Sequence, residues 1–182
     1  MSRFWLKAVE GFYYPDNGNN CKFHALWTDG YEFDGTGSTI IYGLRPNGTA
    51  GGARLTCAVT GPENGGTVQQ SPEDPIFNDF IDPVRDANRW QQIVMRVKAS
   101  SSFGANDGLI QSWRRWEDEE TFTLMQNQTQ EYTGIPPGET GYRAAFVLGY
   151  MNQPGYAQAT EMLIDKYELS DLPLVPAGTE GL

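Results

Sequence analysis

The sequence predicts an all-β fold, a single antiparallel β-sandwich, and three observations carry that prediction. Apolar and polar residues alternate in short runs bounded by Gly, Pro, Asn and Asp, while helical periodicity is nearly absent. The 182 residues include 21 Gly and 11 Pro with 13% aromatics, a composition suited to many short strands joined by tight turns. Apolar residues at 39% and charged residues at 20% place the chain among globular rather than disordered proteins. At this length folding buries roughly 70% of the unfolded surface, enough for a two-layer core. One domain over residues 1–170 therefore suffices, followed by an arm at 171–182.

Ten strands follow in order. Residues 4–9 (Phe-Trp-Leu-Lys-Ala-Val) open the alternation, and 21–28 resume it after the turn-like stretch Tyr13-Tyr14-Pro15-Asp16-Asn17-Gly18. Residues 38–43, 53–59 and 65–70 are apolar or β-branched runs separated by Gly-rich turns. The connection 71–86 is too long for a hairpin, and its prolines at 72, 75 and 83 exclude a central strand. It is read as a loop with a short helical turn, either an interaction element or a crossing between sheets.

Residues 90–98 alternate again, with Ile93, Met95 and Val97 on one face and Val94, Arg96 and Lys98 on the other; the first face is expected in the core and the second in water. After the turn at Asp107-Gly108 come strands at 108–116, 120–125, 141–150 and 159–169. The last residues, beginning Asp171-Leu172-Pro173-Leu174-Val175-Pro176, read as an extended arm. Such an arm needs an anchor, which neighbouring subunits of an assembly or its own domain would supply.

Bulk charge excludes some partners. Thirteen basic against 23 acidic residues give −10, which repels nucleic acid and anionic membrane over a Debye length of roughly 8 Å. No apolar run approaches the ~20 residues of a membrane helix. The start, Met1-Ser2-Arg3-Phe4-Trp5-Leu6-Lys7, carries no leader pattern, so synthesis in a cytoplasm without export is expected. In that compartment Cys21 and Cys57 are expected as free, buried thiols, and the sequons at Asn47 and Asn127 carry no meaning.

Trp90 opens one alternating strand, and Asp107-Gly108 leads into a second that ends at Trp113. With Gly141–Tyr150 and Leu163–Asp171 as final strands, this pattern resembles the concanavalin A-like lectin/glucanase superfamily, in the branch holding laminin G-like domains and jelly-roll polysaccharide lyases. The resemblance implies a concanavalin A-like jelly roll used on glycans. In its alginate-lyase-like members a late strand reads Tyr-Phe-Lys-Ala-Gly-x-Tyr-x-Gln. Aligned on Gly149, Phe146 and Gln153 match, but Val147 stands in place of the lysine and Met151 in place of the tyrosine.

Candidate residues follow from that comparison and from the side chains themselves. A lyase needs a base, an acid and groups that neutralise a uronate carboxylate. A bulged register would let Arg143 act with Tyr150 or Tyr142, and His24, sharing parity with Lys22, would supply a base. A glucanase needs spaced carboxylates; the cluster Glu117-Asp118-Glu119-Glu120 lacks the Glu-x-Asp-x-x-Glu spacing and reads as a solvated turn. Of the aromatics, Tyr13, Tyr14 and Trp116 are expected to be exposed and to form a sugar platform. Calcium is the one cofactor in view, through Asp16, Asn17, Asn19, Asn20, Asp29, Asp34 and Asp165 in or near turns, although no Asp-x-Asp-x-Asp-Gly loop is present.

The expected function is therefore a noncatalytic structural or recognition sandwich, used as a virion surface or capsid decoration protein with protein subunits as partners. The glycan-binding set is Tyr13, Tyr14, Trp116, Tyr142, Arg143 and Tyr150. A polysaccharide lyase acting on a uronate-containing glycan and a soluble carbohydrate-binding module are the alternatives.

Overall fold

A computed structural model describes residues 1–15, 21–28, 39–61, 66–70, 78–151 and 160–175, with the side chains of 61, 66–70 and 148–151 left aside. It contains ten strands: β1 (Ser2–Ala8), β2 (Cys21–Trp27), β3 (Thr39–Pro46), β4 (Ala53–Gly61), β5 (Gly66–Gln70), β6 (Trp90–Lys98), β7 (Gly108–Trp116), β8 (Thr123–Glu131), β9 (Ala144–Met151) and β10 (Met162–Leu169). They form two five-stranded antiparallel sheets, β10-β1-β6-β7-β8 and β5-β4-β3-β2-β9. The fold is an antiparallel β-sandwich, as the alternation predicts.

The inward rows of the central strands are apolar. Phe4, Leu6 and Ala8 of β1 and Ile93 and Met95 of β6 meet Phe23, Ile40, Tyr42, Leu44, Leu55 and Cys57 of the other sheet in one buried cluster. Burying each large apolar side chain contributes about 1.5–3 kcal/mol. A polar tie crosses the layer where Tyr42 donates its hydroxyl hydrogen to Gln126 Oε1 at 2.9 Å.

Cys21 and Cys57 are free and buried, and burial pushes both thiols up to about 12. The connection before β6 crosses between sheets and is pinned by the core. Phe80 and Ile81 are fully buried, and Ile81 exchanges two backbone hydrogen bonds with Ala53, both 2.9 Å. Asp82 then caps the turn, its Oδ1 accepting the N–H groups of Val84 and Arg85. The helical turn expected there is confined to residues 78–79 among those described.

Register slips occur in three strands: β8 slips against β7 between Gly108 and Ile110 and between Ser112 and Trp113, and β2 and β10 slip against their own neighbours. In β2 the register slips between Lys22 and His24 against both neighbours, a bulge at Phe23. Cys21 and Phe23 face the core before it, and His24 packs against core rings after it. In β10 the slip lies opposite Arg3 and Trp5, at Lys166, whose φ of +52° places a non-glycine residue in the left-handed region. Met162 and Ile164 pack on the core before that bulge, and Tyr167 stacks on Phe4 after it.

Two expectations are corrected. The eighth strand runs from Thr123 rather than from 120, because Glu117 through Glu120 are all exposed and extend the turn. The outer face of β6 is not simply wet. Val94 is fully buried with Trp113 beneath Leu174 and Val175, so residues 171–175 fold back onto their own sheet. Arg3 Nη1 donates to Leu174 O at 3.0 Å and fixes that return.

Two outcomes follow. A Cβ at Gly108 would collide with Thr133 Oγ1 and lie 2.6 Å from Glu131 O, so Gly108→Ala lowers the unfolding free energy by about 1–3 kcal/mol in a denaturant titration. A thiol reagent at pH 8 labels neither cysteine in the native protein and both in denaturant, since the thiolate is the reactive form. Fast native labelling would contradict the burial described.

Candidate functional site

Among the described residues, the outward rows of the first sheet bring polar and aromatic side chains together. Register places Trp5 beside Gln92 and Gln92 beside Arg115, one row across β1, β6 and β7. Arg115 is held there by four neighbours. Its Nε donates to Gln92 Oε1 at 2.8 Å and its Nη1 to Glu119 O at 3.0 Å, while its guanidinium lies 5.2 Å from the Trp5 ring centre and 5.3 Å from that of Phe122. Those bonds use two of the five N–H donors a guanidinium carries.

Adjacent rows repeat the theme. Lys7 Nζ sits 4.7 Å over the Trp90 ring, and Arg96 donates to Gln111, which donates to Asn127. Arg3 pairs with Glu168 at 2.6 Å. Beside the Trp5 row lies a trough of 590 Å³, walled by Arg3, Gln92, Arg115, Glu120 and Phe122 and closed on one side by the arm at Leu174. Its size falls in the range of small-molecule sites, about 300–1,000 Å³. Trp5, Trp90, Arg115 and Phe122 are all half-buried, so each has a fixed body and an accessible edge.

The six residues selected from sequence do not form one platform. Tyr14, expected to be exposed, is a core residue whose hydroxyl donates to Leu44 O at 2.7 Å. Trp116, also expected to be exposed, is buried with the guanidinium groups of Arg89 and Arg114 at 4.5 and 5.1 Å from its ring. Neither ring can receive a sugar face while packed in this way. Tyr13 is half-buried against Gly51, where a Cβ would come within 2.7 Å of its ring. Tyr150 pairs with Lys22 in the β9–β2 ladder, and its side chain lies outside the described residues. Only Tyr142 and Arg143 come together, on the wall of a separate cleft at one end of the sandwich.

His24 does not share the face of Lys22 expected from alternation, because the Phe23 bulge shifts the register between them. His24 is 1% exposed, stacked on Phe4 at 5.7 Å and edge-on to Tyr42 at 6.4 Å. Its Nε2 meets Ser2 Oγ at 2.9 Å and the Tyr167 hydroxyl at 3.4 Å; Nδ1 meets no hydrogen-bond partner among the described residues. Burial pushes its pKa down to about 4, so at neutral pH the ring is an uncharged tie between the sheets.

Of the proposed calcium ligands, Asp16, Asn17, Asn19, Asn20, Asp29 and Asp34 lie outside the described residues. Asp165 spends Oδ1 on the N–H of Lys166 at the β10 bulge. Among the described residues no three His, Cys, Asp or Glu side chains are grouped to hold a metal, and no helix is long and apolar enough to cross a membrane. Comparison with protein-family models, with curated proteins and with solved structures finds no match to this chain.

The Trp5 row could not be chosen from sequence, because Trp5, Trp90 and Arg115 are 85 and 25 positions apart and only the β1-β6-β7 pairing unites them. The available signal was the outward parity of Trp5 and Lys7 in the first strand.

The buried histidine sets a pH dependence. In an unfolded chain it titrates near 6.5, so between about 6.5 and 4 the unfolded state holds the extra proton. Stability is full above the unfolded value and declines as pH falls through that window, by up to about 3 kcal/mol. His24→Gln is expected to be less stable at pH 7 and to lose that slope, measured as denaturant midpoints from pH 4 to 7; an unchanged slope would assign it to other groups.

Proposed function

We propose that this protein is a noncatalytic recognition and structural β-sandwich that binds saccharide on the outer face of its first sheet. The observation that carries the reading is the Trp5–Gln92–Arg115 row with Phe122 beside a trough. Saccharides present apolar ring faces and hydroxyl edges, which match half-buried aromatic rings flanked by oriented amide and guanidinium groups. Ordering these side chains in the unbound protein reduces the entropy lost on binding.

The setting we assign is a virion surface or capsid decoration, with other protein subunits as neighbours. A net charge of −10 supports it, because self-repulsion keeps closely spaced copies soluble. The concanavalin A-like jelly-roll subtype belongs to the same proposal, supported by two antiparallel five-stranded sheets with an oligosaccharide-sized trough on one outer face.

The test is a glycan array followed by titration of the best hit. Trp5→Ala and Gln92→Ala are each expected to weaken binding about tenfold, equivalent to about 1.4 kcal/mol, while Tyr13→Ala leaves it unchanged. Absence of any glycan ligand, or wild-type affinity in both the Trp5 and Gln92 variants, would overturn the reading.

A further inference from the structure

A second concavity lies at the end of the sandwich where the β2 and β10 bulges occur, on the opposite side of the first sheet from the saccharide trough. It is a cleft of 570 Å³ opening between the layers. Met95 and Val97 of β6 form one wall, and Leu26 of β2 with Ala144 and Ala145 of β9 forms the other. Leu169 of β10 borders it and remains 58% exposed. Small side chains facing Met95 leave the gap. Methionine, unbranched and polarisable, adapts to an occupant more readily than a branched residue would.

The polar groups are few and sit in defined places. Ser2, whose Oγ is bonded to His24, lines the cleft. Tyr142 donates its hydroxyl hydrogen to Thr133 O at 3.2 Å, which directs its ring rather than its hydroxyl to the wall. Arg143 is the one cationic side chain among the lining residues, and the Met1 ammonium, which also lines the cleft, is occupied in donating to Ser170 O. The Arg143 backbone N–H is pinned to Trp27 O at 2.7 Å, and its Nε lies 2.7 Å from Glu139 Oε2 with half of the side chain exposed. A guanidinium anchored by one edge retains donors along the other for a planar bidentate partner. Asp171 also lines the cleft and Glu139 stands beside Arg143, so the local field opposes a second negative charge.

From this arrangement we infer that the cleft binds a small amphiphilic monocarboxylate, with its aliphatic chain between the sheets against Val97, Leu26 and Ala145 and its carboxylate on Arg143. The apolar walls select the chain, the single guanidinium selects the head group, and the two flanking carboxylates favour a monoanion over a phosphate dianion. This site is independent of the saccharide face, since none of its lining residues belongs to the Trp5 row.

Isothermal titration of the full chain with sodium octanoate and with 1-octanol tests the inference. The wild type is expected to bind both saturably, octanoate more tightly. Arg143→Gln is expected to weaken octanoate about tenfold and leave octanol unchanged. Ala145→Trp, at an exposed position, fills the cleft and is expected to reduce both by tenfold or more with the unfolding midpoint retained; Val97→Trp does the same from the facing wall. Trp5→Ala leaves octanoate binding intact, which separates this cleft from the saccharide face. No saturable octanoate binding, equal loss of both ligands in Arg143→Gln, or wild-type affinity in both tryptophan variants would overturn it.

Discussion

Two dislocations, at Phe23 in β2 and at Lys166 in β10, govern one end of this sandwich. A strand that keeps strict alternation can give only every second side chain to the interior. At Phe23 and at Lys166 that rule is broken, and the adjacent residues, His24 and Tyr167, arrive together around Phe4. The same slips reset the facing of everything that follows, so Leu26 and Leu169 come to border the inter-sheet cleft. A left-handed lysine costs about 1 kcal/mol or more in backbone strain. The ring cluster it creates ties the edge strand to both layers and offsets that cost.

On the far side of the same sheet, the usual division between a dry face and a wet face is also incomplete. Val94 and Trp113 would leave an oily strip among Arg3, Arg96 and Gln111 if nothing covered them, and Leu174 with Val175 supplies the cover. Leu174 and Val175 wall the trough beside the Trp5 row, whose rings are half-buried. In a protein of net charge −10, placing Arg3, Lys7, Arg96 and Arg115 on one face also sets a local potential unlike the average surface.

The strands were legible because alternation is local information. Nine of the ten expected segments match observed strands with edges moved by up to three residues, while the eighth, expected at 120–125, overlaps Thr123–Glu131 by only three residues. The eighth misled because Gln126 to Gln130 carries little apolar signal, which an edge strand tolerates when only Met125 must reach the core. Facing was less legible. A bulge is a property of a pair of strands, so nothing around His24 alone announces that its parity changes. Exposure of single rings was least legible. Tyr14 lies in a stretch rich in turn residues and Trp116 beside four acidic ones, yet both are buried through partners distant in sequence, Leu44 O for the first and Arg89 for the second.

The returning arm bears on how long the protein keeps its character. Its bend runs through Leu172, which is 68% exposed, while the cover over Trp113 lies just beyond. A protease nick at that bend would detach the cover without touching a single strand. The clipped species would keep its fold and lose its discretion, presenting a bare indole and valine to any passing hydrophobic surface. Loss of the chain beyond that bend would thereby convert a covered surface into an adhesive one.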